Sequence, residues 1–312
     1  GLAPVVTASD GAGSIRIPAS NCGLFGLKPS RGRISNGPLF GDSLAGLSTP
    51  GPLTRHVADA AALLDAMRGY ATGDPHWAPE PVRPYVEEVA VDPPPLRLAL
   101  VTQAPYGAPT ADALRVVDEA ARLLERLGHT VEPVEVPPVA ALKDDFEMVW
   151  AAGMAAAPLP LDTLEPFNRG LAEQGQTLSA GQLLGAVTSL QLQARLIVGA
   201  TARYDAVLSP TLLREPLAVG ELREVCTEPG QWQALLDALA TYVGLTPVAN
   251  VTGQPSMNLP LGWSGAGLPM GVMVTGRPAD EATLLRLAAQ TQRAADWTTA
   301  IPPRQEEPVD AR

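Results

Sequence analysis

The sequence predicts an α/β domain with a helical insertion, and three observations carry that reading. Residues 96–137 run strand, helix, strand, the pattern of a βαβ unit, which implies a parallel sheet covered by helices. Residues 141–202 are mostly helical in pattern, with LSAGQLLGAVTSLQLQARLIVGA as the longest run. The chain has 312 residues, 46% hydrophobic and 18% charged, so it can bury a large core, yet it exceeds the ~250–300 residues at which one core stops growing. One large domain, 1–312, with an insertion at about 141–202 satisfies all three.

In chain order, Gly1 to Arg33 is rich in Gly, Ser and Pro, as is NGPLFGDSLAGLSTPGPLTR after it. Both read as loop, or as backbone shaped for a ligand. Val57, Ala60, Ala61, Leu64 and Met67 then recur at helical spacing, with Thr54 as the expected N-cap and Gly69 as the stop. Gly73 to Pro95 is proline-rich and aperiodic, a surface connection. Leu96 to Val101 reads as a buried strand, Thr110 caps a helix whose Leu114, Val117, Ala121 and Leu124 share a face, and HTVEPVEVP returns as strand. The insertion is expected to wall a pocket, with Phe146, Met148, Trp150 and Met154 either lining it or filling a helix core. After it come the strand YDAVLSPT, a helix near Trp232 to Tyr242, PVANVTGQPSMNLPLG, a Gly-rich turn, the strand LPMGVMVTG and a last helix capped by Asp280.

Lys+Arg 22 against Asp+Glu 33 leaves a net charge of −11, which argues against nucleic-acid and anionic-membrane partners. No stretch reaches the ~18–20 uninterrupted apolar residues of a membrane span, and the start lacks a signal-peptide pattern, so a cytoplasmic location is expected. Cys22 and Cys226 form no CxxC and match no His spacing. Neither a disulfide framework nor a metal site is expected, no cofactor is implied, and Cys22 is expected in the core. His56, His76 and His129 read as surface or capping residues, and Asn250 in NVT matches a glycosylation site only formally. The only lysines are Lys28 and Lys143, so a lysine-dependent mechanism has few candidates. The chain opens at Gly1 in what reads as a loop, which suggests a fragment or a processed product.

Chemistry concentrates in DGAGSIRIPASNCGLFGLKPSRGRIS, Asp10 to Ser35. Ser14 follows Gly11, Ala12 and Gly13, so several backbone N–H groups can turn toward one point with no bulky side chain in the way. An oxyanion hole requires that arrangement, with the adjacent hydroxyl as nucleophile. Composition alone favours an ordinary Gly-rich turn. There is no G-x-S-x-G elbow, which disfavours an α/β-hydrolase triad.

This stretch resembles the signature of the amidase signature family: Gly-Gly-Ser, then hydrophobic-Arg-x-Pro-Ala, then Cys-Gly-x-x-Gly-x-Lys-Pro. Gly13, Ser14, Ile15, Arg16, Pro18, Ala19, Cys22, Gly23, Gly26, Lys28 and Pro29 supply it in order. The likeness continues through GPLTRHVADAAALLDAMRG, YDAVLSPT, NVTGQPSMNLPLG and GLPMGVMVTGRPADEATLLRLAAQ. The resemblance implies an α/β fold around a mixed central sheet, lacking its N-terminal part, and hydrolysis of carboxylic amides by a serine, cis-serine, lysine triad. It makes Ser14 the nucleophile, the N–H groups of Gly11, Ala12, Gly13 and Ser14 the oxyanion hole, and Asp10 and Arg16 the loop's braces, and it implies packing roles for Asn258 and Pro260.

Two departures follow from the same comparison. Ala12 stands where the family more often has glycine, which narrows the space beside the hole, and the family's lysine and cis-serine fall upstream of this chain. Lys28 sits in the Gly-Leu-Lys-Pro part of the signature, where a structural role is implied. Ile17 stands where the A subunits of tRNA-dependent amidotransferases usually carry glutamine, so the run looks closer to stand-alone amidases such as the 6-aminohexanoate-cyclic-dimer hydrolases. The alternatives are such an A subunit, or a non-catalytic fragment. The implied partner is a small-molecule amide, with homodimerisation open.

Overall fold

The computed structural model describes residues 3–38, 40–137 and 142–299. The chain enters through β1 (Val5–Asp10), α1 (Arg16–Asn21), β2 (Phe25–Lys28) and β3 (Thr49–Thr54), then α2 (Val57–Met67) and the short α3 (Tyr85–Glu88). Next come β4 (Arg97–Leu100), α4 (Ala111–Arg126) and β5 (Thr130–Pro133). The helices α5 (Leu142–Ala156), α6 (Pro166–Gln176) and α7 (Ala180–Thr201) occupy the expected insertion, whose first residue, Ala141, lies outside the described residues, as do Gly1 and the end of the chain. The rest is β6 (Ala206–Pro210), α8 (Trp232–Val243), α9 (Thr246–Thr252), β7 (Ser256–Trp263), β8 (Pro269–Gly276) and α10 (Glu281–Ala294).

The strands form one mixed sheet in the order β1-β3-β2-β7-β8-β6-β4-β5. β4 runs parallel to β5 and β6, whereas every other pairing is antiparallel. The βαβ pattern therefore accounts for one end of the sheet, and hairpin-like pairing builds the rest. Side chains alternate across a strand, which sorts the two faces. Phe25 and Leu27, Met257 and Leu259, and Val272 and Val274 enter the main core, packed by α2, α4 and α10. Gly26, Lys28, Asn258 and Met273 belong to the opposite face, where α1 lies on β7 and β8. A second cluster joins the insertion to α9 through Phe146, Leu190, Ile197 and Val251. By length and composition α7 could cross a membrane; here Ala186, Leu190 and Ile197 pack inward, while Leu184, Leu192 and Leu196 are exposed.

Local chemistry explains the helix ends. Thr110 accepts a hydrogen bond from Ala113 N–H and Asp280 one from Thr283 N–H, caps worth about 1 kcal/mol each. Several expectations are corrected. Among the described residues the first stretch is not all loop but holds two strands and a helix around the loop 11–15, and β3 lies in the second turn-rich stretch. The N-cap of α2 is His56, and Thr54 instead ends β3 and donates to His56 O at 2.7 Å. The buried face of α4 is Ala113, Val116, Val117, Ala120, Ala121 and Leu124, with Leu114 turned to solvent. The proline-rich connection contains α3, whose Glu88 is gripped by Arg83 and Arg286. Cys22 is exposed rather than in the core. His129 is buried, accepting from Leu96 N–H through Nδ1 and pairing with Gln290 through Nε2.

Candidate active site

The loop Gly11–Ile15 hangs between the last residue of β1 and the first of α1, and those two residues close it at its base. Arg16 Nε donates to Asp10 Oδ2 at 3.0 Å and Nη2 to Oδ1 at 2.8 Å, while Ile15 N–H donates to Oδ2 at 3.2 Å. Both side chains are fully buried. Burial would raise the Asp10 carboxyl, but the Arg16 charge and hydrogen bond, with Lys28 and Asn250, outweigh it and hold it below the usual carboxylate range. Arg16 also donates to Met273 Sδ at 3.2 Å, which seats it on the sheet.

A third element completes the frame. Asn250 on α9 donates through Nδ2 to Asp10 O at 2.7 Å, Asp10 Oδ1 at 2.9 Å and Leu47 O at 3.0 Å, and its Oδ1 accepts from Arg16 Nη2 at 2.8 Å. One turn earlier Thr246 Oγ1 donates to Ala12 O at 2.7 Å. Gly13 passes against that threonine with φ +132°, and a Cβ there would lie 2.6 Å from Thr246 Oγ1 and 2.7 Å from Ile17 Cδ1. Only glycine fits such a backbone in such a space. Arg31 fastens the other end of α9, donating to Asn250 O and Val251 O.

The sequence placed Asp10, Gly11, Ala12, Gly13, Ser14 and Arg16 at this site, and the structure gathers them in one braced loop. Ser14 is exposed. Among the described residues its hydroxyl has no hydrogen-bond partner, and the N–H groups of Gly11, Ala12, Gly13 and Ser14 are paired with no acceptor. Thr246 and Asn250 were not anticipated as site residues; their spacing of four on one helix face is the available signal, and their acceptors include backbone carbonyls that no sequence displays.

Neither lysine is bonded to Ser14. Lys28 is fully buried and donates to Pro29 O at 2.8 Å; burial, reinforced by the nearby Arg16 charge, pushes its ammonium down to about 7. Lys143 pairs with Glu147 and Asp237. Partial burial works against its charge, yet those carboxylates win and raise it above the ordinary lysine value, so it stays protonated. Among the described residues no group of three or more His, Cys, Asp or Glu side chains could hold a metal ion. An apolar cavity of about 60 Å³ opens beside Ala12, walled by Phe146 and Trp150 of α5 and Leu239 and Val243 of α8. On the far side of Tyr106 lies a larger one of about 570 Å³, lined by Val101, Val207, Leu245, Val248 and Met273.

The amidase family model matches residues 1–285. The chain belongs to the amidase family. An amidase homologue of Synechocystis sp. is 39% identical over 293 residues, covering 94% of this chain and 56% of the homologue. The 6-aminohexanoate-cyclic-dimer hydrolase of Pseudomonas sp. (strain NK87) is 33% identical over 320 residues, 96% of this chain and 65% of that one. A solved structure of a 6-aminohexanoate cyclic dimer hydrolase superposes with a TM-score of 0.85 at 32% identity, over 95% of this chain and 65% of that one. The amidase chain described here thus spans 56–65% of the length of these relatives, and its mixed sheet is that of the family.

Proposed function

We propose that this chain carries the nucleophile and oxyanion hole of an amidase that cleaves carboxylic amides through a serine acyl-enzyme. The observation that carries the reading is the exposed Ser14 in a loop where the N–H groups of Gly11 to Ser14 have no acceptor among the described residues while its base is locked by buried charge. Ser14 Oγ attacks the amide carbonyl, and its proton passes to a base. The carbonyl oxygen becomes an oxyanion held by N–H groups of Gly11 to Ser14, with each well-placed donor worth about 3–4 kcal/mol of barrier. The base returns that proton to the nitrogen as the C–N bond breaks, releasing the amine, and water then hydrolyses the acyl-serine. The base and its bridging serine are proposed, on the resemblance to the family, to come from outside these 312 residues; neither lysine here is bonded to Ser14.

The cavity beside Ala12 supports an apolar aliphatic or aryl group on the amide, packed against Phe146 and Trp150. A small apolar group removed from water there contributes about 0.8 kcal/mol per CH₂. Ile17 in place of glutamine favours a free-standing amidase over an amidotransferase subunit. The test is Ser14→Ala in the full-length protein, assayed on simple aliphatic and aryl amides, with a fluorophosphonate probe mapped by mass spectrometry. Loss of hydrolysis with labelling at Ser14 in the parent is the expected result; labelling elsewhere, or an active alanine variant, overturns the assignment.

A further inference from the structure

We infer that Thr246 and Asn250 are positioning residues for the oxyanion hole: one helix face holds the carbonyls of Ala12 and Asp10 and so aims the N–H groups of Gly13 and Gly11 at the reacting carbonyl. This rests on the reading of Ser14 and its loop given above.

The argument is one of peptide geometry. A trans peptide is planar, with its C=O and the following N–H pointing in opposite directions. Thr246 Oγ1 binds Ala12 O and Asn250 Nδ2 binds Asp10 O, both at 2.7 Å. The N–H groups of Gly13 and Gly11, on those same two peptide planes, therefore point away from α9. Residues four apart on a helix lie on one face, so the two carbonyls are held from the same side and the two donors turn to the same opposite side. The pins are stiff. Both side chains are buried, Asn250 is itself held by Arg16 and Leu47, and Arg31 holds the end of the helix. Gly13, with no side chain, lets the backbone close onto Thr246. Electrostatic catalysis gains most when donors are fixed before charge develops, and Thr246 and Asn250 supply that fixing by holding the carbonyls of the same peptide planes.

Thr246→Val in the full-length protein keeps the volume and removes the hydroxyl; Thr246→Ser keeps the hydroxyl. Asn250→Ala removes four bonds at once and threatens the fold, so the threonine pair decides. We expect Thr246→Val to lower kcat about tenfold to hundredfold with KM within threefold, to slow fluorophosphonate labelling of Ser14 by a similar factor, and to be rescued within threefold by Thr246→Ser. Melting curves place each assay below Tm, and if the valine variant melts below the assay temperature, Thr246→Ala is read the same way. A Thr246→Val enzyme within twofold of the parent kcat, a loss confined to KM, or a serine variant as impaired as the valine one overturns the inference. Ser14→Ala, run in parallel, separates the two ideas: if it stays active, the nucleophile is wrong, whereas if it is inactive and Thr246→Val is not impaired, only the role of α9 fails.

Discussion

Arg16 grips Asp10 through two parallel hydrogen bonds, and neither side chain reaches solvent. Removing one partner of such a pair strands a charge in a medium that solvates it poorly, at a cost of about 3–5 kcal/mol. Arg16→Met should lower stability by that amount in urea unfolding. The double variant Asp10→Asn with Arg16→Met should recover part of the loss, because no uncompensated carboxylate remains. Simple additivity of the two single changes would show that the pair is not coupled as its geometry requires.

Lys28 makes stability depend on pH in a definite direction. Its folded pKa is pushed down to about 7 by burial, while the unfolded chain keeps the ordinary 10.5. Between those values the unfolded state binds more protons than the folded one, so this group's contribution to stability rises with pH. Against Lys28→Met, the parent should gain about 1.4 kcal/mol per pH unit from 7 to 10. Parallel pH–stability curves for the two proteins would mean that Lys28 is charged when folded.

Under the proposal that the base lies outside these residues, residues 1–312 expressed alone should show no measurable amidase activity beside a version extended upstream on the same amides. A serine hydroxyl depends on an adjacent base to take its proton, and losing an activating partner from a serine triad costs about 10⁴–10⁶ in rate. If the short chain matched the long one, the base would lie within these residues, and Lys28, already poised near neutrality, would be the first to substitute.

The parts of this molecule that could be read from sequence are those with room for a period. The 16 residues of α4 show their buried stripe and their threonine cap, and β4 with β5 frames it, so the parallel end of the sheet was visible. Even there Leu114 misled, because one apolar residue does not define a face. The N-terminal strands were hidden for physical reasons. β1 is an edge strand with Val6 half exposed, β2 spends two of its four positions on Gly26 and a buried lysine, and β3 holds two prolines and a glycine. The serine loop was legible because glycines mark it and a signature surrounds it. Thr246 and Asn250 were not, since α9 is seven residues long with Pro247 in its first turn, too short for a buried stripe to declare itself.

The bonds from α9 to the serine loop join residues 234 to 240 positions apart. Closing so long a span costs little more entropy than closing half of it, but it fixes an order of events. During synthesis the N-terminal part of a chain emerges first, so Ser14 leaves the ribosome long before Thr246 and Asn250 exist to shape its surroundings. Through that interval the loop is ordinary flexible polypeptide. Its braced conformation is acquired only when the far end of the domain docks, which makes the shape of this loop a late product of folding.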